Sequence, residues 1–111
     1  MVYETIKKFV KAGDVLANPK SGTSTILKID ENEIIYKRGK SSLHIRAEDI
    51  NSAYDHFKGQ LVSTSDLAEF NINFSEKEHR CNASFFLMLM NLCGLTEGGI
   101  ISGRMLSAKL N

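Results

Sequence analysis

The stretch Asn82-Ala83-Ser84-Phe85-Phe86-Leu87-Met88-Leu89-Met90-Asn91-Leu92-Cys93-Gly94 constrains this chain more than any other. Leu, Met and Phe fill it without a β-branched residue, Asn82 or Ser84 can cap its start, and Gly94 can close its last turn, so a helix over 83–93 is expected. From Phe85 to Met90 the apolar residues run without interruption instead of forming a stripe. A helix apolar all round must be covered on most sides. It is far shorter than the ~20 residues of a bilayer span, so the cover must be protein. Either the rest of this chain supplies it, or a partner docks on Phe86, Met88 and Met90.

At 111 residues the chain has the size of a single domain, 1–111, able to bury ~65% of its unfolded surface. Ahead of the central helix the periodicity changes twice. Residues 2–12 place Tyr3, Ile6 and Val10 on one helical face, with Lys7, Lys8 and Lys11 outward. A short strand at 14–16 and the turn Asn18-Pro19-Lys20-Ser21-Gly22 follow. Residues 23–29, 34–38 and 41–46 then read as a β-meander, because the connections at 30–33 and 38–40 are too short for crossovers. Alternation is clearest in 41–46, where Leu43 and Ile45 oppose Ser42, His44 and Arg46.

Helical spacing returns at 47–57 through Ile50, Ala53, Tyr54 and Phe57, with Glu48 and Asp49 in the first turn. A short helix at 65–70 is expected from a cap at Thr64 or Ser65 and from Leu67 and Phe70. Residues 71–81 show no period beyond an extended alternation of Ile72 and Phe74. Gly98-Gly99 reads as a loop, Ile100-Ile101 as an added strand or the start of a last helix, and Ser102 as the cap of a terminal helix over 103–110. The expected fold is therefore α+β: one helix, a small antiparallel meander of three or four strands, then three or four helices including the buried one.

Net charge is +1, too small for a global field that would gather nucleic acid or an anionic membrane. Its distribution is uneven: residues 1–46 hold nine Lys or Arg against five acids, and 47–111 hold five against eight. The positive excess concentrates in the hairpin 37–46. There Lys37, Arg38 and Lys40 can neutralise phosphates while Ser42, His44 and Arg46 complete a polar face. These six residues are the expected contact surface for DNA or RNA, although charged hairpin tips also serve solubility alone.

Three further constellations bear on function. Helix 85–93, a turn at 94–96 and a helix over 100–110 would make a helix-turn-helix, against which stand Gly98-Gly99 and the sparse cations Arg104 and Lys109. Glu76, Glu78, His79 and Cys81, with His44 or His56, hold metal-ligand atoms, but no Cys-x-x-Cys or His-x-x-x-His pair is present, so no metal is expected. Cys81, at a helix start, is the better thiol for a cysteine-dependent enzyme, whereas Cys93 lies among core residues. Twelve residues of helix separate the two by roughly 18 Å, too far for a disulfide. Two unpaired thiols and no signal-like N-terminus suggest a cytoplasmic protein.

The expected function is a non-catalytic interaction module, binding nucleic acid through 37–46 or pairing with a second copy through Phe86, Met88 and Met90. No cofactor, membrane contact or small-molecule substrate is indicated.

Overall fold

A computed structural model of the chain describes residues 1–75 and 81–111. Its first helix, α1 (Val2–Phe9), buries Val2, Tyr3 and Ile6. It ends earlier than expected, with Val10 already extended yet buried at 3% exposure. Asn51 accepts from the Tyr3 backbone N–H at 2.9 Å, and the Tyr3 hydroxyl donates to the Asp30 carbonyl at 2.8 Å. The helix is thereby fixed to the elements that follow.

Strands β1 (Val15–Ala17), β2 (Thr23–Ile29), β3 (Glu33–Arg38) and β4 (Ser41–Arg46) form an antiparallel sheet in sequence order. Register sets Ile26 opposite Tyr36 and Ile34 opposite Ile45, all within 1% of complete burial. The other face is wet: Lys37 pairs with Ser42 and Ile35 with His44, and both strand-four residues are exposed. Alternation places Arg38 in the same inward row as Ile34 and Tyr36, one step past the aromatic ring.

Helix α2 (Ala47–Phe57) has the bounds its apolar spacing predicts and buries Ile50, Ala53 and Phe57. After β5 (Leu61–Ser63), helix α3 (Thr64–Phe70) starts on a different cap from the expected Thr64 or Ser65. Ser63 accepts from the Asp66 N–H while Asp66 accepts from the Ser63 N–H, a reciprocal capping box. Ile72–Phe74 is a 3-10 turn, not the extended segment expected of it, and Asn71 caps it.

The central helix, α4 (Cys81–Leu92), buries Asn82, Ala83 and every residue from Phe85 to Met90. Neither Asn82 nor Ser84 caps it, since both lie inside the helix. Its C-terminus closes as expected: Gly94 N–H donates to Asn91 and Leu95 N–H to Met90, the paired bonds of a Schellman motif.

The chain ends in strands where a helix was expected. Strands β6 (Thr96–Ile101) and β7 (Ser107–Leu110) pair antiparallel, and β5 adds to β7 to make a three-stranded sheet. Gly98 and Gly99 lie inside β6, where the register slips between Glu97 and Ile100. Their φ values of 76° and 75° are open to glycine at little cost, so the pair builds a bulge. The helix-turn-helix expectation fails with it, because its reading helix is a β-hairpin.

Helix α4 lies against both sheets: the Phe85 ring stacks on Tyr36 of β3 with centroids 3.7 Å apart, while β6 and β7 pack on another side. Phe74 meets Phe86 edge-on at 5.8 Å. This double cover explains the absence of an apolar stripe. Phe86 and Met90 are fully buried and Met88 is 5% exposed, so the three side chains expected to receive a partner are already covered by their own chain. Among the described residues no helix is long and apolar enough to cross a membrane.

Candidate anion-binding groove

The basic hairpin does not act as one surface, because its two ends have different electrostatic surroundings. At the far end of β4, Arg46 pairs with Glu48 at 2.8 Å and His44 with Glu33 at 3.2 Å. Both also border a small polar cavity with Asp49, Asn73 and Asn82. Asp49 is 6% exposed, and its two carboxylate oxygens accept from Asn71 and Asn73 at 2.9 and 3.0 Å. Acidic neighbours therefore face Arg46 and His44, which were expected to bind phosphate here.

Asn82 belongs to this packing rather than to a cap. It accepts from the Tyr36 hydroxyl at 2.6 Å and donates to the carbonyls of His44 and Asn73 at 2.9 and 3.2 Å. Its amide thus joins β3, β4 and the 3-10 turn to the start of α4. Burial holds the Tyr36 hydroxyl well above the usual phenol range, partly opposed by the neighbouring Arg38 charge.

At the other end of the hairpin, Arg38 reaches past the core into a web of neutral groups. Its Nε donates to Ser24 Oγ at 3.2 Å and Nη1 to Ser84 Oγ at 3.1 Å. Nη2 donates to Asn18 Oδ1 at 3.3 Å and lies 3.4 Å from Met88 Sδ. Ser24 donates in turn to Asn18 Oδ1 at 2.6 Å, and Asn18 Nδ2 to the Ser21 carbonyl at 3.2 Å. Among the described residues no carboxylate contacts this half-buried guanidinium. Its positive charge is ordered, and no acid among the described residues compensates it.

Arg38 lines an open groove of about 630 Å³ between the β1–β2 loop, the β3–β4 turn and the start of α4. The other walls are Asn18, Pro19, Lys20, Ser21, Gly22, Thr23, Thr25, Lys37, Gly39, Ser84 and Leu106. Among the described residues the lining holds three cations, several hydroxyls and no acid. Lys40 follows Gly39 in the adjoining turn without lining the groove, and Ser42 lies on the exposed face of β4. Of the six expected residues, then, Lys37 and Arg38 line the groove, Arg38 from the inward row of β3 and Lys37 from its wet face, with Lys40 beside it.

Sequence reading missed Asn18, Lys20, Ser24 and Ser84. The turn signal at 18–22 was visible, but its closeness to Arg38 depends on the pairing of Ser24 with Arg38 across β2 and β3.

Neither thiol is part of the groove. Cys93 is buried, which pushes its thiol up to about 11, and Cys81 is half-buried at the first turn of α4. Glu76, Glu78 and His79 lie outside the described residues, and those described contain no group of three potential metal ligands. No family model, curated protein or solved structure matches this chain significantly.

Proposed function

We propose that this chain is a non-catalytic module that binds nucleic acid by its phosphates, with the Arg38 groove as the contact. One observation carries this reading: a half-buried guanidinium, held by four neutral atoms, faces a groove lined also by Lys20 and Lys37 and, among the described residues, by no acid. An uncompensated charge in partly desolvated surroundings is raised in energy, and a bound anion relieves that cost. Because Arg38 is already oriented, little conformational entropy is lost when the anion arrives.

Among the described residues the groove is lined by no aromatic side chain that bases could stack on. Binding should be insensitive to sequence and steeply dependent on salt. Anisotropy titration of labelled DNA and RNA at increasing salt tests the reading. About three neutralised phosphates would give a slope of roughly −2 to −3 in log K against log salt on B-DNA. Loss of binding in Arg38→Gln, with an unchanged folded spectrum, is the expected companion result. Wild-type protein that binds neither polymer at low salt refutes the proposal.

A further inference from the structure

Resting on that reading, we infer that the groove takes a phosphate monoester, such as the phosphorylated end of a strand, in preference to the diester backbone along a duplex. Surfaces that follow a backbone carry uncompensated cations along a path. Here the cations of the four-stranded sheet and its turns that have no acidic partner among the described residues, Lys20, Lys37, Arg38 and Lys40, lie at one end of the sheet. Across the rest of the four-stranded sheet Lys28 pairs with Asp30 at 3.2 Å, His44 with Glu33 and Arg46 with Glu48. Lys20 and Lys37 line the same open groove as Arg38, with no acid among the described residues of its lining. An excess of cations in one groove favours the dianionic monoester over a singly charged diester.

The loop beside Arg38 adds donors of the right kind. Among the described residues, the backbone N–H groups of Lys20, Ser21 and Gly22 have no intramolecular acceptor, although all three residues line the groove. Successive free N–H groups in a turn form concave anion sites, and a terminal phosphate offers three acceptor oxygens to meet them. Gly22 has φ +77°, which an L side chain rarely adopts, and the Asn18 Nδ2 bond to the Ser21 carbonyl braces the turn. Arg38 spends four donor contacts on its own protein, which leaves it a short-range clamp for one group, not a long fork along a strand.

The test compares one oligonucleotide with a 5′-phosphate, the same oligonucleotide with a 5′-hydroxyl, and a nucleoside monophosphate, each titrated into the full chain. The phosphorylated strand is expected to bind at least tenfold tighter than the hydroxyl form, and Lys20→Ala to reduce that ratio to near unity. If the monophosphate matches the phosphorylated strand, the monoester is taken from a free nucleotide. If it binds more weakly, the strand end is the source. Equal binding of the two strands, still dependent on salt and Arg38, overturns the monoester inference and leaves backbone recognition standing. No binding by any of the three overturns both.

Discussion

Arg38 and Ser84 meet at 3.1 Å, joining the last residue of β3 to the first turn of α4, and no carboxylate among the described residues shares that contact. The inward row of the sheet continues one step past the hydrophobic core and ends in a cation. That geometry couples the fold to the groove, since the helix covering Tyr36 also supplies Ser84 to hold the guanidinium.

Asn18→Asp is the sharpest test of uncompensated charge. The substitution is isosteric, and its carboxylate can still accept from Ser24 and Arg38 as Asn18 Oδ1 does at 2.6 and 3.3 Å. It would give Arg38 an internal counter-ion. It also loses the Nδ2 bond to the Ser21 carbonyl, so Asn18→Ala serves as the control for the turn. Oligonucleotide affinity of Asn18→Asp should fall at least tenfold, about 1.4 kcal/mol, below that of Asn18→Ala. Unchanged affinity in a folded variant contradicts the electrostatic account.

The buried bridge from Tyr36 through Asn82 should matter to stability and not to binding. Asn82→Ala orphans the Tyr36 hydroxyl and removes a donor from the carbonyls of His44 and Asn73, for a loss of about 2–4 kcal/mol. Tyr36→Phe keeps the stack on Phe85 and removes one donor, for about 1–2 kcal/mol. Urea denaturation of both variants checks the order of the two effects.

Removing the α3 cap gives a smaller, local effect. Ser63→Ala deletes the oxygen that accepts from the Asp66 N–H and should cost about 1 kcal/mol, with Ser63→Asp recovering most of it. A Thr64→Ala change of equal size would contradict the assignment of the cap to Ser63.

Stability should fall in alkali. Burial raises the folded-state pKa of Cys93 from 9.0 to about 11, and burial likewise raises those of Tyr3 and Tyr36 from 10.0. Their neutral forms are favoured in the fold, so this stabilisation is complete below the unfolded pKa values and is lost as pH rises towards the folded ones. The urea midpoint is expected to hold to about pH 9 and then decline through pH 11. Cys93→Ala should soften the first part of that decline, and a flat midpoint to pH 10.5 would count against buried neutral groups.

The first half of the fold was legible because its signals are local. Alternation, short connections and the spacing of Ile50, Ala53 and Phe57 each specify an element without reference to distant residues. The last fifteen residues were not, since Gly98-Gly99 is both a loop signal and the material of a bulge. Pairing of β6 with β7, and of β7 with β5, decides between these possibilities. The binding surface was half legible for the same reason. Sequence shows that Lys37, Arg38, His44 and Arg46 are cations or proton acceptors close together, but the ion pairs with Glu33 and Glu48 separate them into two environments.

Titration of inorganic phosphate into isotopically labelled protein, followed by two-dimensional NMR of backbone amides and Arg Nε–H, tests the central claim most directly. Saturable shifts at Lys20, Ser21, Gly22 and the Arg38 side chain, with His44 and Arg46 unmoved, are the predicted result. Shifts centred on His44 and Arg46, or none that saturate, would contradict it.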